Sequence, residues 1–160
     1  MTEESERKLT GYCGLYCGDC IRYHSKASDL ARQLIEELNN TQFEKYAKIK
    51  SSSKKQFDAI KRFEHYKKCY AVLEAVAKLQ CNSPCRIGEG CAAFSCNILE
   101  CCRQKGFEGF WQCEIFENCE KFTTLKSVHG DTPQQNLIEI KKHGIDNWAK
   151  HRHKAYVWQK

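Results

Sequence analysis

Twelve cysteines are the residues of this chain whose type and spacing could support chemistry. Eight of them fall between Cys81 and Cys119, and three more form an upstream C-x3-C-x2-C pattern at Cys13, Cys17 and Cys20. Closely spaced thiolate pairs separated by a longer excursion are typical of tetrahedral zinc sites, because each short spacer brings two sulfurs to one ion. The two clusters predict that distant parts of the chain are held together by something that binds sulfur.

The number of thiols fits two all-cysteine zinc sites and leaves room for a third, although spacing does not fix which cysteine joins which site. Neighbouring side chains rarely converge on one ion, so Cys101 is favoured over Cys102. Cys69 has no second cysteine at ligand spacing and is interpreted as a small core residue. The predicted metal ligands are Cys13, Cys17, Cys20, Cys81, Cys85, Cys96, Cys101, Cys113 and Cys119, with Cys91 and Cys102 as further candidates.

Other uses of these sulfurs remain open. An iron–sulfur cluster also takes four thiolates, and the C-x3-C-x2-C spacing is similar to that of radical S-adenosylmethionine enzymes, although those have an aromatic where Asp19 stands here. Redox catalysis by Cys17 and Cys20 would need a strand–helix context that the sequence lacks. A catalytic zinc normally includes His or a carboxylate, and the six histidines form no H-E-x-x-H pattern. No catalytic residue is predicted, and an enzymatic role is disfavoured.

Length and composition place these thiols in one cytoplasmic domain. A chain of 160 residues can bury a sizeable core without disulfides. Met1 to Leu9 is charged, and no apolar run approaches the roughly 20 residues of a membrane span, so no membrane association is expected. A reducing cytosol disfavours disulfides. The formal charge of +6 falls to about +2 if two four-thiolate sites with divalent ions each carry −2.

The elements that must position the thiols are predicted to be mainly helical, in a single domain over 1–160 with an irregular cysteine-rich metal-binding lobe. The expected order is a disordered tail (1–10), a cysteine knuckle (11–24), helices (25–80), the lobe (81–122) and C-terminal helices (132–158). No segment shows strand alternation.

Apolar periodicity and capping residues predict the individual helices. Leu30, Leu34, Ile35 and Leu38 define one buried face, and a long helix is expected over 54–79 with an aromatic stripe that packs in the core. A short helix is expected over 97–105. Thr132 with Gln135 reads as a capping box, Pro133 suits the first turn and Gly144 the end of that helix. A last helix is expected to begin at Asp146.

A basic surface offers an alternative function. The run from Lys45 to Lys68 contains nine Lys or Arg and two acidic residues among aromatics, and the tail from Lys150 to Lys160 is also basic. Such a pattern could bind nucleic acid or another partner. A solvated basic surface is the simpler interpretation, and no specific partner is predicted.

The cysteine-bearing segments resemble one family, the uncharacterised prokaryotic proteins catalogued as domain-of-unknown-function family 3795. The resemblance rests on GYCGLYCGDC at 11–20, the C-x3-C of 81–85, CNILECC at 96–102 and ENCEKF at 117–122, and the tail is similar to the family's closing G-I-x-x-W segment. The chain departs from the family at Phe110, where a late C-x-x-C would have its first cysteine, and at Asn118, where a proline is usual. The resemblance implies zinc binding and supplies no substrate.

Overall fold

The computed structural model of the protein describes residues 3–52, 58–88, 90–91, 95–152 and 156. Within these residues the chain is mainly helical and has no β-strand, which confirms the predicted fold class. None of the helices in these ranges is long and apolar enough to cross a membrane. The α-helices are α1 (Glu3–Leu9), α2 (Ile21–His24), α3 (Ala27–Asn40), α4 (Phe43–Ser51), α5 (Asp58–Lys61), α6 (Tyr66–Lys78), α7 (Asn97–Gln104), α8 (Thr123–His129) and α9 (Thr132–His143).

The chain divides into two compact units. The cysteine unit combines Met1–His24 with Cys81–Lys160, and the helical unit is Ser25–Gln80. All eleven cysteines named as ligands or further candidates lie in the cysteine unit, whereas Cys69 lies in the helical unit. The expected single domain over 1–160 and its metal-binding lobe stay predictions.

An antiparallel pair, α3 and α6, forms the helical unit. Near one end the Ser28 hydroxyl donates to the carbonyl of Val76 at 2.8 Å, and near the other the Tyr70 hydroxyl donates to Asn39 at 2.9 Å. Ser28 and Ala31 are buried, but Leu30 and Leu34 are exposed. The predicted apolar face of this helix is therefore wrong in part, because the stripe at positions 28 and 31 faces the partner helix and the two leucines lie beside that stripe.

The long helix expected over 54–79 is interrupted. Residues 53–57 lie outside the described residues, and α5 is followed by a 3₁₀ turn at Arg62–His65 before α6 begins. The prediction that the aromatic stripe packs in the core is wrong in part, because Phe63 and Tyr66 lie 5.5 Å and 5.6 Å from the Phe43 ring but are only half-buried. The interpretation of Cys69 as a core residue is wrong, because its side chain is exposed on α6.

Aromatic and aliphatic side chains from distant segments build the core of the cysteine unit. Trp148 is fully buried, its indole N–H donates to the Thr10 hydroxyl at 2.9 Å, and its ring meets Tyr16 edge to face at 5.9 Å. The N-terminal segment is thus fixed to the end of the chain. The other large buried side chains of this core are Phe110, Phe116, Ile98, Leu137 and Ile140.

Two predicted helices of the cysteine unit are confirmed. α7 ends two residues before Gly106, and α9 begins at Thr132 with Pro133 in its first turn and ends before Gly144. The capping box is wrong, because Asp131 precedes α9 and no side chain caps its first turn. Of the predicted last helix, a 3₁₀ turn covers Trp148–His151, and 153–155 and 157–160 lie outside the described residues.

Candidate metal centre

The N-terminal cysteine knuckle is a tight reversal of the backbone. Gly11 N–H donates to the Leu15 carbonyl at 2.8 Å, and Gly14 N–H donates back to Gly11 at 3.0 Å. Gly14 has a φ of +87°, and a Cβ there would lie 2.6 Å from the carbonyl oxygen of Pro133 in α9. Only glycine fits both the left-handed conformation and this close approach. The turn carries Cys13 and leads directly into the second part of the knuckle.

Cys17 and Cys20 are the two ends of a single 3₁₀ turn. The N–H of Cys20 donates to the carbonyl of Cys17 at 3.0 Å, and α2 begins at the next residue. Asp19, within the turn, accepts a hydrogen bond from Arg152 at 2.8 Å, and the Arg152 guanidinium lies 4.5 Å from the Tyr16 ring centre. An arginine from the C-terminal segment therefore holds the turn in place.

The same turn occurs twice more. Cys20, Cys113 and Cys119 each end a one-turn 3₁₀ helix with φ near −79° and ψ near 125°. The residue three positions earlier is Cys17 in the first turn, Phe110 in the second and Phe116 in the third. Both phenylalanines are fully buried, and the Phe110 ring lies 5.2 Å from Phe122. Phe110, where the resemblance predicts a cysteine, is thus a buried core residue within the same kind of turn.

The segment after Cys81 returns to the knuckle. The N–H of Cys81 donates to the Arg22 carbonyl of α2 at 2.8 Å. Its Sγ lies 3.2 Å from the carbonyl oxygens of both Ser83 and Gly90, within hydrogen-bonding distance of a thiol. Cys81 therefore lies beside the end of the knuckle, although some sixty residues separate them in sequence.

We refer to four cysteines of the knuckle and of the segment after it as the first thiol group: Cys17, Cys20, Cys81 and Cys91. Burial raises the pKa of the Cys17 thiol, and the neighbouring thiols, led by Cys85 and Cys91, raise it further. Burial also raises the pKa of Cys91 to about 11, with Cys81 as its strongest thiol neighbour. The physical cause is that a thiolate disfavours a second negative charge nearby.

The second thiol group consists of Cys96, Cys101, Cys102 and Cys113, around α7. Cys96 is the residue before α7, and its sulfur accepts the N–H of Leu99 at 3.5 Å. Cys102 is fully buried, and burial followed by the charges of Cys101, Cys113 and Cys96 raises its pKa to about 12.

Cys13 and Cys85 lie between the two groups. Burial raises the pKa of Cys13, and the thiols that raise it further are Cys85, then Cys96 of the second group and Cys91 of the first. A Cβ at Gly11 would lie 3.6 Å from the sulfur of Cys13 and 3.7 Å from that of Cys85. Cys119 packs against the same core and is assigned to neither group.

Eleven of the thiols lie in one unit, but their sulfurs are not arranged around a common point. All twelve cysteines are free, and in the described part of the chain no three His, Cys, Asp or Glu side chains stand in an arrangement that could hold a metal ion. The metal-ligand assignments from the sequence therefore stay predictions. Among the histidines, His143 stacks on His151 at 3.8 Å and pairs with Glu139 at 3.2 Å.

Arg86, which sequence reasoning missed, lies at the centre of this region. Its Nε donates to the Thr10 carbonyl and its Nη1 to the Glu108 carbonyl, both at 2.9 Å. Its guanidinium lies 4.6 Å from the Tyr12 ring centre and 5.6 Å from that of Trp111. Nη2 is buried and has no hydrogen-bond partner among the described residues. Its position next to Cys85 was the one signal in the sequence, and nothing there distinguishes it from the other basic residues.

The comparisons with known proteins give a family and no activity. The family model described as "Protein of unknown function (DUF3795)" matches residues 9–124. No curated protein matches the chain, and no solved structure does. The matched residues include every predicted ligand from Cys13 to Cys119, whereas the closing segment after residue 124 lies outside them. The chain therefore belongs to the DUF3795 family of proteins of unknown function.

Proposed function

We propose that this protein binds about two metal ions through its two thiol groups, that zinc is the leading candidate for the metal, and that the metal holds the fold together. The observation that carries the proposal is the return of the chain to the knuckle some sixty residues later, where the Cys81 N–H donates to the Arg22 carbonyl at 2.8 Å and the sulfurs of Cys13 and Cys85 both lie beside Gly11. A metal bound by thiols from both segments would tie the knuckle to the rest of the cysteine unit. The proposal assigns the protein to a reducing cytoplasm, where free thiols persist.

The chemistry of the donors suits such a metal. A closed structural zinc site takes four ligands, and the eleven free thiols of the cysteine unit are enough for two such sites. Metal binding needs thiolates, and burial has raised the pKa of Cys17, Cys91 and Cys102 in the metal-free chain. A divalent ion would supply the positive charge that makes deprotonation favourable, with release of the protons. Rotation about the single χ1 bond of each cysteine could then turn the sulfurs toward one point.

Arg86, whose Nη2 has no hydrogen-bond partner among the described residues, also fits a bound metal. A buried N–H without an acceptor costs about 1–3 kcal/mol. A metal-bound thiolate can accept a hydrogen bond, and a four-thiolate site with a divalent ion carries net negative charge. The Nη2 group of Arg86 is a buried donor of this kind.

The expected role of the metal is structural. Structural zinc contributes about 10–16 kcal/mol of binding free energy in zinc-finger peptides, comparable with the 5–15 kcal/mol net stability of a whole domain. Removal of the metal by a chelator should therefore unfold the cysteine unit, with loss of the near-UV circular dichroism of buried Trp148. A chelated, metal-free sample that kept this signal and its melting temperature would contradict a structural role.

Metal analysis of anaerobically purified protein is the direct test. The wild type should carry about two zinc ions per chain. Cys17→Ser and Cys81→Ser should each lower that number, because each removes a thiol of the first group. Cys69→Ser is the matched control, since its side chain is exposed in the other unit, and it should keep the wild-type content. Equal metal content in all four proteins would refute the ligand assignment.

The same measurement decides between zinc and an iron–sulfur cluster. Four-thiolate groups accept either, and a cluster would open a redox or enzymatic role. A cluster would make the protein brown, with a visible absorbance band and iron and sulfide in place of zinc. Colourless protein with stoichiometric zinc would exclude the cluster under these conditions.

A second candidate function is nucleic-acid binding by the helical unit. It is favoured by the full exposure to solvent of the described basic side chains between 45 and 68, of which Lys67 pairs with Glu44 at 3.5 Å. Phosphate binding by such a surface should weaken steeply with salt. Titration with random single-stranded and duplex oligonucleotides at two salt concentrations tests this, and no binding at low salt would rule it out. The side chains concerned are Lys45, Lys48, Lys50, Lys61, Arg62, Lys67 and Lys68.

A further inference from the structure

The helical unit has almost no buried core of its own. Among its described residues only one serine and two alanines are buried, and no large apolar side chain is. Leu30 and Leu34 of α3 are 61% and 46% exposed, and Val72 of α6 is 61% exposed. Single exposed apolar residues are ordinary on a protein surface, whereas several on one face mark an interaction site.

These three side chains lie on the same face of the α3–α6 pair. Residues of an α-helix follow one another about every 100°, so Leu30 and Leu34 lie to one side of the stripe of α3 that packs on α6. Arg32 lies to the other side, in a groove that it shares with Glu74 of α6. Val72 is two residues from Glu74 and therefore points to the opposite side of α6, where the two leucines are. We call this side of the pair the apolar face.

The side chains of the apolar face form layers. The two hydrogen bonds that join α3 to α6 place Leu34 at about the height of Val72, and Leu30 at about the height of Val76. Val76 is half-buried and lies one turn after Val72. Each layer thus has a leucine from α3 and a valine from α6, which is the pattern of a helix pair that packs on further helices.

The charges of the two helices are complementary. α3 has three acidic residues and one arginine, which gives −2, whereas α6 has three lysines and one glutamate, which gives +2. At the edges of the apolar face, Glu37 of α3 and Lys68 of α6 are exposed and lie at about the same height. A second copy that sets its α6 against α3 would bring opposite charges together, whereas α3 against α3 would bring like charges together.

We propose that the apolar face binds a second copy of this chain and forms an antiparallel four-helix bundle around a two-fold axis. In the bundle α3 of each copy packs on α6 of its partner, Leu34 meets Val72 of the other copy, and Glu37 meets its Lys68. The symmetry makes every one of these contacts twice. The inference does not depend on the proposed metal binding, because its residues all lie in the helical unit.

The size of the face sets the expected affinity. Helices of 14 and 13 residues give a face about 20 Å long and two helices wide. Two such faces bury on the order of 1,000 Å² in total, at the low end of specific interfaces. The dimer should therefore be weak and should dissociate at micromolar concentrations.

Sedimentation velocity of the full chain, reduced and anaerobic, at concentrations from low to high micromolar tests the proposal. The wild type should pass from monomer to dimer over this range. Leu34→Glu should raise the dissociation constant at least about 100-fold, because the two-fold axis would bury two unpaired carboxylates. Ile49→Glu is the matched control, since Ile49 is 70% exposed on α4 and the charge change is the same, and it should dimerise as the wild type does.

A charge swap tests the predicted arrangement of the helices. Glu37→Lys and Lys68→Glu should each raise the dissociation constant about 3- to 30-fold, because each turns two attractive pairs into two repulsive ones. The double variant restores opposite charges and should return to near the wild-type value. Single variants that match the wild type, or a double variant weaker than both, would overturn this arrangement.

The remaining outcomes identify other occupants of the face. A wild type that stays monomeric at every concentration overturns the proposal. If Leu34→Glu then lowers the melting temperature, another segment of the chain covers the face; if it does not, the face is open to a different protein. A wild-type dimer that Leu34→Glu leaves intact also overturns the proposal. Val72→Glu replaces Leu34→Glu if circular dichroism shows that the latter does not fold. The metal content of each sample is measured alongside, so loss of metal and loss of the dimer are distinguished.

Discussion

Replacing Gly14 with alanine should destabilise the cysteine unit by more than its backbone conformation alone explains. Gly14 has a φ of +87°, where a non-glycine residue costs about 1–2 kcal/mol. The new Cβ would also lie 2.6 Å from the Pro133 carbonyl oxygen and 2.9 Å from Cγ of Leu137. Overpacking of this kind costs about 1–3 kcal/mol. The expected loss for Gly14→Ala is therefore about 2–5 kcal/mol.

Gly106 provides a matched control for this substitution. Its φ is +66°, and a Cβ there would meet no atom within 4 Å, so Gly106→Ala isolates the cost of the backbone conformation. The difference between the two variants should be about 1–3 kcal/mol, or about 2–12 °C in melting temperature for a chain of this size. Thermal unfolding followed by circular dichroism, at one metal concentration, measures it. Equal melting temperatures would refute the close approach of the knuckle to α9.

Three further predictions concern the core and its charges. Phe110→Ala should cost about 3–5 kcal/mol in urea unfolding because the ring is fully buried, whereas Ile49→Ala, at 70% exposure, should stay within about 0.5 kcal/mol. Thr10→Val should cost about 1–3 kcal/mol, since it leaves the buried indole N–H of Trp148 without its acceptor, and a stability equal to the wild type would contradict that hydrogen bond. A hydrogen bond from Arg7 lowers the pKa of the Asp146 carboxyl below its ordinary value of 3.8. The contribution of ionised Asp146 to stability is therefore present above that pH and is lost as the pH falls through the lower pKa of the folded state. Asp146→Asn should reduce the acid sensitivity measured by unfolding at pH 5 and below, and an unchanged pH profile would refute this linkage.

Local signals in the sequence predicted individual helices where the determining residues are neighbours. Pro133 and Gly144 bracket α9, and Gly106 follows α7, because proline and glycine act on the backbone through their own φ preferences. The same signals failed where packing decided. The face of α3 was misassigned because Ser28 and Ala31 are buried, and Cys69 was placed in the core although it is exposed.

The candidate site shows the same division. Glycines and cysteine spacing predicted a knuckle around Cys13, Cys17 and Cys20, and the resemblance to the family singled out Phe110 as a departure. Spacing could not show that Phe110 keeps the 3₁₀ turn by filling the core with its ring. It also could not find Arg86, whose importance comes from the aromatic rings and carbonyls that surround it in space.

The sequence by itself determined the helical class, the family and the set of thiols, because composition, periodicity and short spacers are local properties of the chain. Only the tertiary structure decided which thiols are neighbours. Cys81 returns to the knuckle some sixty residues later through its hydrogen bond to the Arg22 carbonyl, and the sulfurs of Cys13 and Cys85 both lie beside Gly11. The physical reason is that the folding of distant segments onto a common core, with Trp148 and Phe110 at its centre, sets these distances, and no spacing along the chain encodes them.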